Sequence, residues 1–251
     1  MAKPPPRLFT TEPLTGGAVR LSKSQAHYLG TVLRLETGAE VLLFGERDGE
    51  WAASITELSR KGGAARPVRQ TRPQAPGPDL TLLFAPLKKT PTDLVVRMGT
   101  ELGVRRFVPV LTARTQAGRV NTERLGVIAT EAAEQSERLD VPVVAAPLPL
   151  ADALADAGFV LFCDEAGAAA GGAWGREALP GAAGAMRDAA GGAWSVLTGP
   201  EGGFTDEERA GLRARPGTLA VSLGPRILKA ETAAVAALTL WQATLGDLSG
   251  G

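Results

Sequence analysis

Beyond position 75, apolar residues fall into short runs that alternate with segments of helical periodicity. The runs LTLLFAPL (80–87) and GFVLFCDE (158–165) are almost continuously apolar, as in strands that are buried on both faces of a sheet. RFVPVLT (106–112) has the same character. The helix-like segments between them are 92–103, 121–139 and an Ala-rich 231–245. This alternation predicts an α/β domain with a mostly parallel sheet.

The N-terminal part of the chain follows a different pattern. Two strand-like runs lie within 39–58 and are joined by a charged turn that contains Gly49. The preceding segment, 22–38, predicts a short helix, because Ser22 or Ser24 is placed to cap its start. We therefore expect a small β-rich module here.

Three prolines within RPQAPGPDL (72–80) mark a linker, so we predict two domains, residues 1–75 and 76–251. The chain carries 27 basic and 27 acidic residues, but 11 of the basic and only 7 of the acidic ones precede residue 76. This basic excess favours a partner-binding role for the first domain. A solvated surface without a partner explains the same excess.

Cys163 is the only cysteine and His27 the only histidine, which excludes an intrachain disulfide and argues against a metal site built from these residue types. The first residues, MAKPPPR, contain no apolar signal core. No run reaches the ~20 apolar residues of a membrane helix. We expect a soluble, cytoplasmic protein that uses neither a metal nor a membrane.

Two glycine–proline turns near the C-terminus are the strongest candidates for a ligand site. LTGPEGGFTDEE (197–208) and SLGPRILKAETAA (222–234) each follow an apolar run and lead into a helix-like stretch. Such turns leave backbone N–H and C=O groups unpaired, and ligands of parallel sheets bind at the carboxyl ends of the strands. The chain has no GxxxxGK[S/T] segment and no convincing strand-GxGxxG-helix, which argues against an NTPase or a nicotinamide enzyme.

Together these two segments resemble the RsmE family, SPOUT-class methyltransferases of small-subunit ribosomal RNA. The resemblance follows the family's order over most of the chain. The segments that carry it are AHYLGTVLRLETGAEV (26–41), TELGVRRFVPVLTAR (100–114), EAAEQSERLDVP (131–142), GPEGGF (199–204) and SLGPRILKAETAA (222–234). It omits the Ala/Gly-rich stretch 166–193, which we predict to be a surface excursion without chemistry.

The resemblance implies a PUA-like β-barrel at the N-terminus and a C-terminal SPOUT domain with a deep trefoil knot. It also implies a homodimer that uses S-adenosylmethionine to methylate N3 of one uridine in 16S ribosomal RNA, expected at uridine 1498. We expect recognition within the 30S subunit, because the neutral chain lacks a large basic surface for bare RNA. The last helix is apolar on more than one face, which predicts burial on several sides and fits a dimer interface.

By the same resemblance, the methyl donor is held by the end of the strand at 161–164 and by the two Gly-Pro loops. A single glycine in such a loop also serves a tight turn without any ligand, whereas two loops at the family's spacing favour binding. The donor-binding residues that the resemblance implies are Phe162, Thr198, Gly199, Glu201, Gly202, Gly203, Ser222, Leu223, Gly224, Pro225, Ile227 and Leu228.

Arg226 and Glu231 are the predicted catalytic residues. Removal of the uracil N3 proton leaves an anion shared with the flanking carbonyl oxygens, and the Arg226 guanidinium would stabilise it. The alternative is a structural arginine that bonds loop carbonyls. Glu231 would accept the proton if it is shielded from water, but an acid at a helix start also simply complements the helix dipole.

RNA contacts are predicted at six basic residues, Arg7, His27, Arg34, Lys88, Lys89 and Arg138. His27 and Arg34 are seven positions apart on a helix-like segment and so would share a face. For Arg138, three alternatives are open from the sequence: a contact with RNA, a contact with the second subunit, and a solvated side chain at the end of a helix. Met98 stands where the family frequently has a lysine, which leaves RNA contacts from that helix open.

Two other functions remain open from the sequence. A knotted methyltransferase acting on a ribose 2′-hydroxyl usually places an asparagine in its donor motifs, but the only asparagine, Asn121, is far from both C-terminal loops. A non-enzymatic RNA-binding or assembly factor would keep the N-terminal module and a degenerate knot. The intact glycine loops and Arg226 argue against that degeneration.

Overall fold

The chain folds into two compact units in a computed structural model. The described residues are 4–116, 119–168, 177–187 and 192–249. The first unit comprises Met1–Pro76 and Ala133–Val141, and the second comprises Gly77–Ala132 and Pro142–Gly251. The sequence-based division assigned 133–141 to the second domain. The structure places this segment in the first unit, because Ala133 and Leu139 share a buried cluster with Phe44.

A five-stranded sheet forms most of the first unit. Its strands are β1 (Arg7–Phe9), β2 (Val19–Leu21), β3 (Glu40–Gly45), β4 (Gly49–Ser59) and β5 (Gly62–Arg72). Their spatial order is β1–β3–β4–β5–β2, with β1 parallel to β3 and the other pairs antiparallel. The predicted hairpin across Gly49 is therefore present, and Gly49 has the positive φ of 69° that the turn requires.

Strand β5 was missed by the sequence analysis, since Gly62, Gly63 and Pro67 interrupt any strand pattern. The sheet tolerates the proline because β2 pairs only with residues 63–65 of β5. Beyond that point β5 has β4 on one side alone, so the missing N–H of Pro67 falls on an edge.

The predicted helix over 22–38 is much shorter in the structure. Helix α1 (Lys23–His27) begins at Ser22, as one of the two candidate caps predicted. The Ser22 hydroxyl accepts from the Gln25 N–H at 3.2 Å, and the Gln25 side chain accepts from the Ser22 N–H at 2.9 Å.

A π-helical turn (Tyr28–Val32) follows α1, and Arg34 then has a φ of 56°. Arg34 thus lies outside the helix. The argument that His27 and Arg34 share a helix face was wrong, because the 3.6-residue period ends at His27.

The second unit is built on a parallel sheet. Its strands are β6 (Leu80–Phe84), β7 (Arg106–Leu111), β8 (Val143–Val144), β9 (Leu148–Pro149), β10 (Phe159–Cys163), β13 (Trp194–Thr198) and β14 (Thr218–Val221), and a separate pair is formed by β11 (Gly167–Ala168) and β12 (Glu177–Ala178). The spatial order is β14–β10–β13–β6–β7–β8, with β9 also paired to β7, and every one of these pairs is parallel. The predicted α/β class is confirmed.

In the described part of the chain, six helices accompany these strands: α2 (Lys89–Glu101), α3 (Thr122–Gln135), α4 (Leu150–Ala155), α5 (Ala182–Met186), α6 (Asp206–Ala214) and α7 (Ala230–Leu245). Helix α2 starts three residues before the predicted 92, because Pro91 is tolerated in a first turn, where its N–H would lack a partner. Among the described residues, no helix is long and apolar enough to cross a membrane.

Helix α7 does not bury several faces within this chain. Its buried residues follow one stripe at helical spacing, Ala234, Ala237, Leu238, Trp241 and Gln242. The other apolar side chains of the helix, Leu240 among them, are half-buried or exposed. Intrachain packing alone therefore does not provide the burial on several sides that the sequence predicts, and the dimer interface stays a prediction.

The described part of the Ala/Gly-rich stretch is packed rather than an excursion. Helix α5 lies against α7, and its Met186 is fully buried. Just before α5, the Pro180 carbonyl accepts from the Ser222 N–H at 3.0 Å. Positions 169–176 and 188–191 of the stretch lie outside the described residues.

Candidate active site

The candidate site lies at the carboxyl ends of five adjacent parallel strands, β14, β10, β13, β6 and β7. The strands end level with one another, as shown by the partners Cys163 and Val221, Phe162 and Leu197, Thr198 and Phe84, and Phe84 and Pro109. Both Gly-Pro loops therefore emerge on one edge of the sheet, as the parallel-sheet reasoning predicted. The loop after β13 lies between those after β10 and β14 on one side and those after β6 and β7 on the other.

The loop after β13 depends on two of its glycines for its shape. Gly203 has a φ of 67°, and a Cβ there would collide with the carboxylate of Glu165. A Cβ at Gly199 would lie within 2.5 Å of the Phe204 ring, which is fully buried. Gly202 has no such requirement, because its added Cβ would meet the Arg114 Cβ at an ordinary 3.4 Å. The fold therefore explains Gly199 and Gly203 and leaves Gly202 unexplained by packing.

Phe204 anchors this loop from two directions. Its N–H donates to Glu165 Oε1 at 3.1 Å, and its carbonyl accepts from the Arg114 guanidinium at 3.3 Å. Arg114 also donates to the Gly202 carbonyl at 3.0 Å. The Phe204 ring packs edge-on against Phe162 with centroids 5.1 Å apart. The Phe162 ring is thus part of the core, and Phe162 does not line the small cleft beside the loop after β14.

Thr198, the last residue of β13, is also taken up by the fold. Its side chain is almost fully buried, and its carbonyl accepts from the Ala85 N–H at 3.1 Å. Past it, Glu201 and Gly202 are exposed, and their N–H groups donate to no described residue. The tip of this loop therefore offers free backbone donors.

Hydrogen bonds of Ser222 hold the first turn of the loop after β14. The Ser222 hydroxyl accepts from the Gly224 N–H and donates to the Gly224 carbonyl, both at 3.2 Å, and Gly224 has a φ of 109°. The N–H groups of Arg226, Ile227 and Leu228 donate no hydrogen bond to any described residue. Unpaired backbone groups in a Gly-Pro turn were the feature predicted from sequence.

A small cleft lies between this loop and the end of β10. It has a volume of about 50 Å³ and is lined by Cys163, Asp164, Glu165, Ser222, Leu223, Gly224, Arg226, Ile227, Leu228 and Ala233. Pro225 stands in the same turn and is exposed. Apolar side chains thus alternate with free backbone donors, and Ile227 is 78 % exposed.

Cys163 cannot serve as a nucleophile in this cleft at neutral pH. Burial, together with the charge of Asp164, raises the pKa of its thiol to about 12. The thiol is therefore protonated at pH 7, and the thiolate is the reactive form.

Asp164 ties the end of β10 to helix α6. Its side chain is fully buried and accepts from Arg209 at 2.9 Å and from Arg213 at 2.6 Å. Arg209 also pairs with Glu165. Burial opposes the charge on Arg209, but its hydrogen bond to Asp164 and the charges of Glu165 and Asp164 outweigh this and raise its pKa. This network positions Glu165, and through Glu165 the Phe204 peptide.

Arg226, the predicted catalytic arginine, is exposed and lines the small cleft. It makes no hydrogen bond or ion pair with any described residue, so the alternative of a structural arginine bonded to loop carbonyls has no support here. Glu231 is half-buried in the first turn of α7, where a carboxylate complements the helix dipole. It does not line the cleft.

A second, larger cavity of about 570 Å³ lies on the other side of the loop after β13. Five basic residues line it, Lys88, Lys89, Arg114, Arg119 and Arg124. Its wall also includes Pro200, Glu201 and Gly202. The predicted donor residues Glu201 and Gly202 thus face this cavity rather than the small cleft, while the predicted RNA contacts Lys88 and Lys89 lie within it.

Asn121 also lines the larger cavity, so its remoteness from both C-terminal loops was a wrong inference. The loops after β7 and β13 share one sheet edge, which brings Asn121 to the same wall as Gly202. Its side-chain oxygen accepts from the Arg124 N–H at 2.9 Å, as a helix cap does.

Arg7 and Arg138 are structural rather than exposed, which corrects their prediction as RNA contacts. The Arg7 side chain is 8 % exposed, pairs with Glu50 at 2.6 Å and lies 4.5 Å over the Phe44 ring. It also donates to three carbonyls of the 133–138 segment. Arg138 is 10 % exposed and pairs with Asp140 at 3.0 Å. Arg7 therefore holds this segment within the first unit, whereas the pair of Arg138 and Asp140 lies inside 133–141.

His27 and Arg34 are both exposed on the first unit. His27 lines a cavity of about 650 Å³ in the first unit together with Lys23 and Arg60. Both remain predicted RNA contacts.

The sequence analysis missed two sets of residues, the network around Asp164 and the arginines Arg114, Arg119 and Arg124. Their partners lie far apart in sequence, so only strand order brings them together. One local signal existed, since Asp164 and Arg114 directly follow apolar runs that end at the same sheet edge.

A family model for the RNA methyltransferase domain matches residues 73–242, and one for an RNA methyltransferase PUA domain matches residues 21–68. The chain is 32 % identical over 218 residues to ribosomal RNA small subunit methyltransferase E of Rickettsia conorii, covering 86 % of each chain. It is 34 % identical over 241 residues to the protein of that name from Synechocystis sp., covering 93 % of this chain and 76 % of that one.

A solved structure gives the same result. The crystal structure of a ribosomal RNA small subunit methyltransferase E from Neisseria gonorrhoeae, bound to S-adenosyl methionine, has a TM-score of 0.77 at 27 % identity. It covers 97 % of this chain and 99 % of that one. Two family models match this chain, and its two Gly-Pro loops lie at one edge of a parallel sheet. This chain therefore belongs to the RsmE family of small-subunit ribosomal RNA methyltransferases, as its motifs predicted.

Proposed function

We propose that this chain transfers a methyl group from S-adenosylmethionine to N3 of uridine 1498 in 16S ribosomal RNA of the small subunit. The observation that carries this proposal is that both Gly-Pro loops emerge at one edge of the sheet, together with a cation that has no described partner. Arg226 is exposed beside the small cleft and has no described partner. It stands next to three backbone N–H groups that are free to bind a ligand.

The small cleft has the chemistry that the donor requires. Adenine is recognised by backbone groups in an apolar crevice, and Leu223, Ile227 and Leu228 provide apolar side chains next to free N–H groups. When bound, S-adenosylmethionine supplies a methyl group that is already activated on a sulfonium. At about 50 Å³ the cleft is too small for the whole donor, so binding requires the 223–228 loop to move. The N–H groups of 226–228 donate to no described residue, so no hydrogen bond from these groups opposes that movement.

Arg226 acts on the RNA base in this proposal. The reaction forms a bond between N3 and the methyl carbon, breaks the sulfonium–methyl bond and releases the N3 proton. Negative charge on N3 and its flanking carbonyl oxygens is stabilised by a guanidinium already in place. Glu231 supports the start of α7, and its position does not mark it as the base.

We also propose that the second unit contains a deep trefoil knot, that the first unit is a PUA-like barrel, and that the protein is a homodimer. Helix α7 supports the dimer, because its half-buried apolar residues outside the single buried stripe are available to a second copy. In a dimer, the first unit of one copy would help to place RNA over the loops of the other. The substrate is proposed to be the assembled 30S subunit, since a net charge of zero provides little attraction for bare RNA.

Two measurements test the proposal directly. Calorimetric titration with S-adenosylmethionine is expected to give saturable heat, and subunits from a strain lacking the enzyme are expected to accept one methyl group. Mass spectrometry of the nucleosides locates that methyl group on the base, and a primer-extension stop identifies the uridine. Folded protein that gives no heat contradicts the donor, and a methyl group on ribose favours the 2′-hydroxyl enzyme. RNA binding that ignores the donor, without methyl transfer, favours an assembly factor.

The role of Arg226 has its own test. We expect Arg226→Ala to bind the donor with unchanged affinity and to lower kcat by about 100-fold, the usual cost of removing one transition-state donor. Lys229→Ala is the matched control, because Lys229 is an exposed cation three positions away that makes no side-chain cap. Equal losses in the two variants would show a general charge effect and remove Arg226 from catalysis.

A further inference from the structure

We infer that the larger basic cavity binds phosphate groups of the RNA strand that carries the target nucleotide. This inference rests on the proposed function and assigns the substrate backbone to a site separate from the donor cleft. It gives Arg119 and Arg124 a role that their sequence positions did not indicate, and it places Lys88 and Lys89 in a defined concave site.

Three cations in the cavity have no ionic partner among the described residues. The side chains of Lys88, Lys89 and Arg119, which line the cavity, make no hydrogen bond or ion pair with any described residue. The only acid among the described lining residues is Glu201, which is exposed. Like charges held in a concave surface repel one another and focus a positive potential, so an anion in the cavity relieves the repulsion.

The other two arginines shape the walls. Arg124 pairs with Asp93 at 2.6 Å, which anchors the first turn of α3 to α2. Arg114 donates to the carbonyls of Gly202 and Phe204. These contacts leave the cavity preformed, so binding a strand there requires little ordering of the protein.

The cavity and the donor cleft share the loop after β13 as a common wall. Phe204 donates its N–H to Glu165, which lines the donor cleft, and accepts at its carbonyl from Arg114, which lines the cavity. A strand held by its phosphates in the cavity would therefore run beside the loop that borders the donor. This arrangement suits a reaction in which most of the rate comes from positioning.

The composition of the cavity favours RNA over an acidic protein surface. Lysine is depleted from the cores of protein interfaces, whereas lysine and arginine dominate contacts to phosphate. Helix α2 begins after Lys88 without a side-chain cap, so the backbone N–H of Lys89, which lines the cavity, has no capping acceptor.

The test removes the three unpaired charges with the variant Lys88→Gln/Lys89→Gln/Arg119→Gln in the full chain. Arg97→Gln is the matched control, because Arg97 is exposed on the same helix α2 but does not line the cavity. Affinity for 16S RNA transcript is measured across a range of KCl concentrations. Each lost single-strand phosphate contact lowers the slope of log affinity against log salt by about 0.7, so the triple variant should lose about 2.

Methyl transfer is measured in parallel. We expect the triple variant to keep the donor affinity and the melting temperature of the parent, to raise KM for 30S subunits by about tenfold or more, and to keep kcat within about twofold. The Arg97→Gln variant should match the parent in every measurement.

The outcomes separate the inference from the proposed function. An unchanged salt slope in an active parent overturns the cavity assignment and leaves the proposed function intact. Loss of subunit binding with an unchanged slope on bare RNA points to an acidic ribosomal protein and also overturns it. A parent that methylates nothing refutes the proposed function, and the salt slope then reports on the cavity alone.

Discussion

Replacing Gly203 by alanine should distort the loop after β13, which separates the small cleft from the larger cavity, and destabilise the second unit. Gly203 has a φ of 67°, and the new Cβ would collide with the Glu165 carboxylate. Glu165 is partly exposed and can move away, but it then loses its hydrogen bond to the Phe204 N–H. The neighbouring Gly202→Ala is the matched control for stability, since its Cβ would make only an ordinary contact at 3.4 Å.

The expected cost has two parts. A non-glycine residue in the left-handed region costs about 1 kcal/mol. Leaving the buried Phe204 N–H without its charged acceptor costs about 2 kcal/mol more. The sum of about 3 kcal/mol should lower the melting temperature of the second unit by roughly 6–12 °C. Gly202→Ala should stay within about 0.5 kcal/mol of the parent, because it only restricts the unfolded chain.

The measurement is thermal unfolding with and without S-adenosylmethionine, in Gly203→Ala, Gly202→Ala, Glu165→Ala and the double variant Glu165→Ala/Gly203→Ala. In the double variant the collision partner is gone, so adding the alanine at 203 should cost only the backbone part of about 1 kcal/mol. Donor affinity of Gly203→Ala should fall by about tenfold, because Glu165 lines the donor cleft. A Gly203→Ala protein that melts with the parent, or the same cost in both backgrounds, would refute this account of the loop.

Two further predictions concern buried groups. Arg7→Ala should lower the free energy of unfolding of the first unit in urea by about 3 kcal/mol, because the buried Glu50 carboxylate loses the cation that pairs with it. The control, Arg20→Ala, removes an arginine that is 87 % exposed and should cost less than about 1 kcal/mol. Equal losses in the two variants would contradict the structural role of Arg7. Cys163 should react with iodoacetamide at pH 8 about 1,000-fold more slowly in the folded than in the unfolded protein, because its pKa is about 12 rather than 9.0. The folded protein keeps this thiol neutral, and the resulting contribution to stability is intact below pH 9 and is lost as the pH rises from 9 to about 12. Over that range the free energy of unfolding should therefore fall less in Cys163→Ala than in the parent.

Short-range patterns were enough to predict the elements around the site. The apolar runs at 80–87 and 158–165 became strands of a parallel sheet, because strands covered on both faces need continuous apolar residues. The Gly-Pro turns lie at the ends of their strands, since glycine at positive φ is encoded at the position itself, as at Gly203 and Gly224. The Ser22 cap is equally local, because its hydrogen bonds span three residues.

Residue partners were predicted poorly, because they depend on contacts between distant segments. Arg7 looks like any exposed N-terminal arginine until the 133–138 segment supplies three carbonyls to it. Asp164 and Arg209 are 45 positions apart, and no local period connects them. Strand β5 escaped detection because its proline is tolerable only where β2 has ended.

The two cavities are the clearest case of a feature that no single segment contains. Lys88, Arg114 and Gly202 come from three loops, and they meet because β6, β7 and β13 lie in one part of a parallel sheet. Strand order is set by the packing of the whole core, including the edge-on pair of Phe162 and Phe204, and not by the loops themselves. The residue types of each loop, readable from the sequence, thus made that loop able to bind a ligand. The strand order of the sheet decided which loops contribute to the same cavity, because side chains distant in sequence become neighbours only when the core is packed.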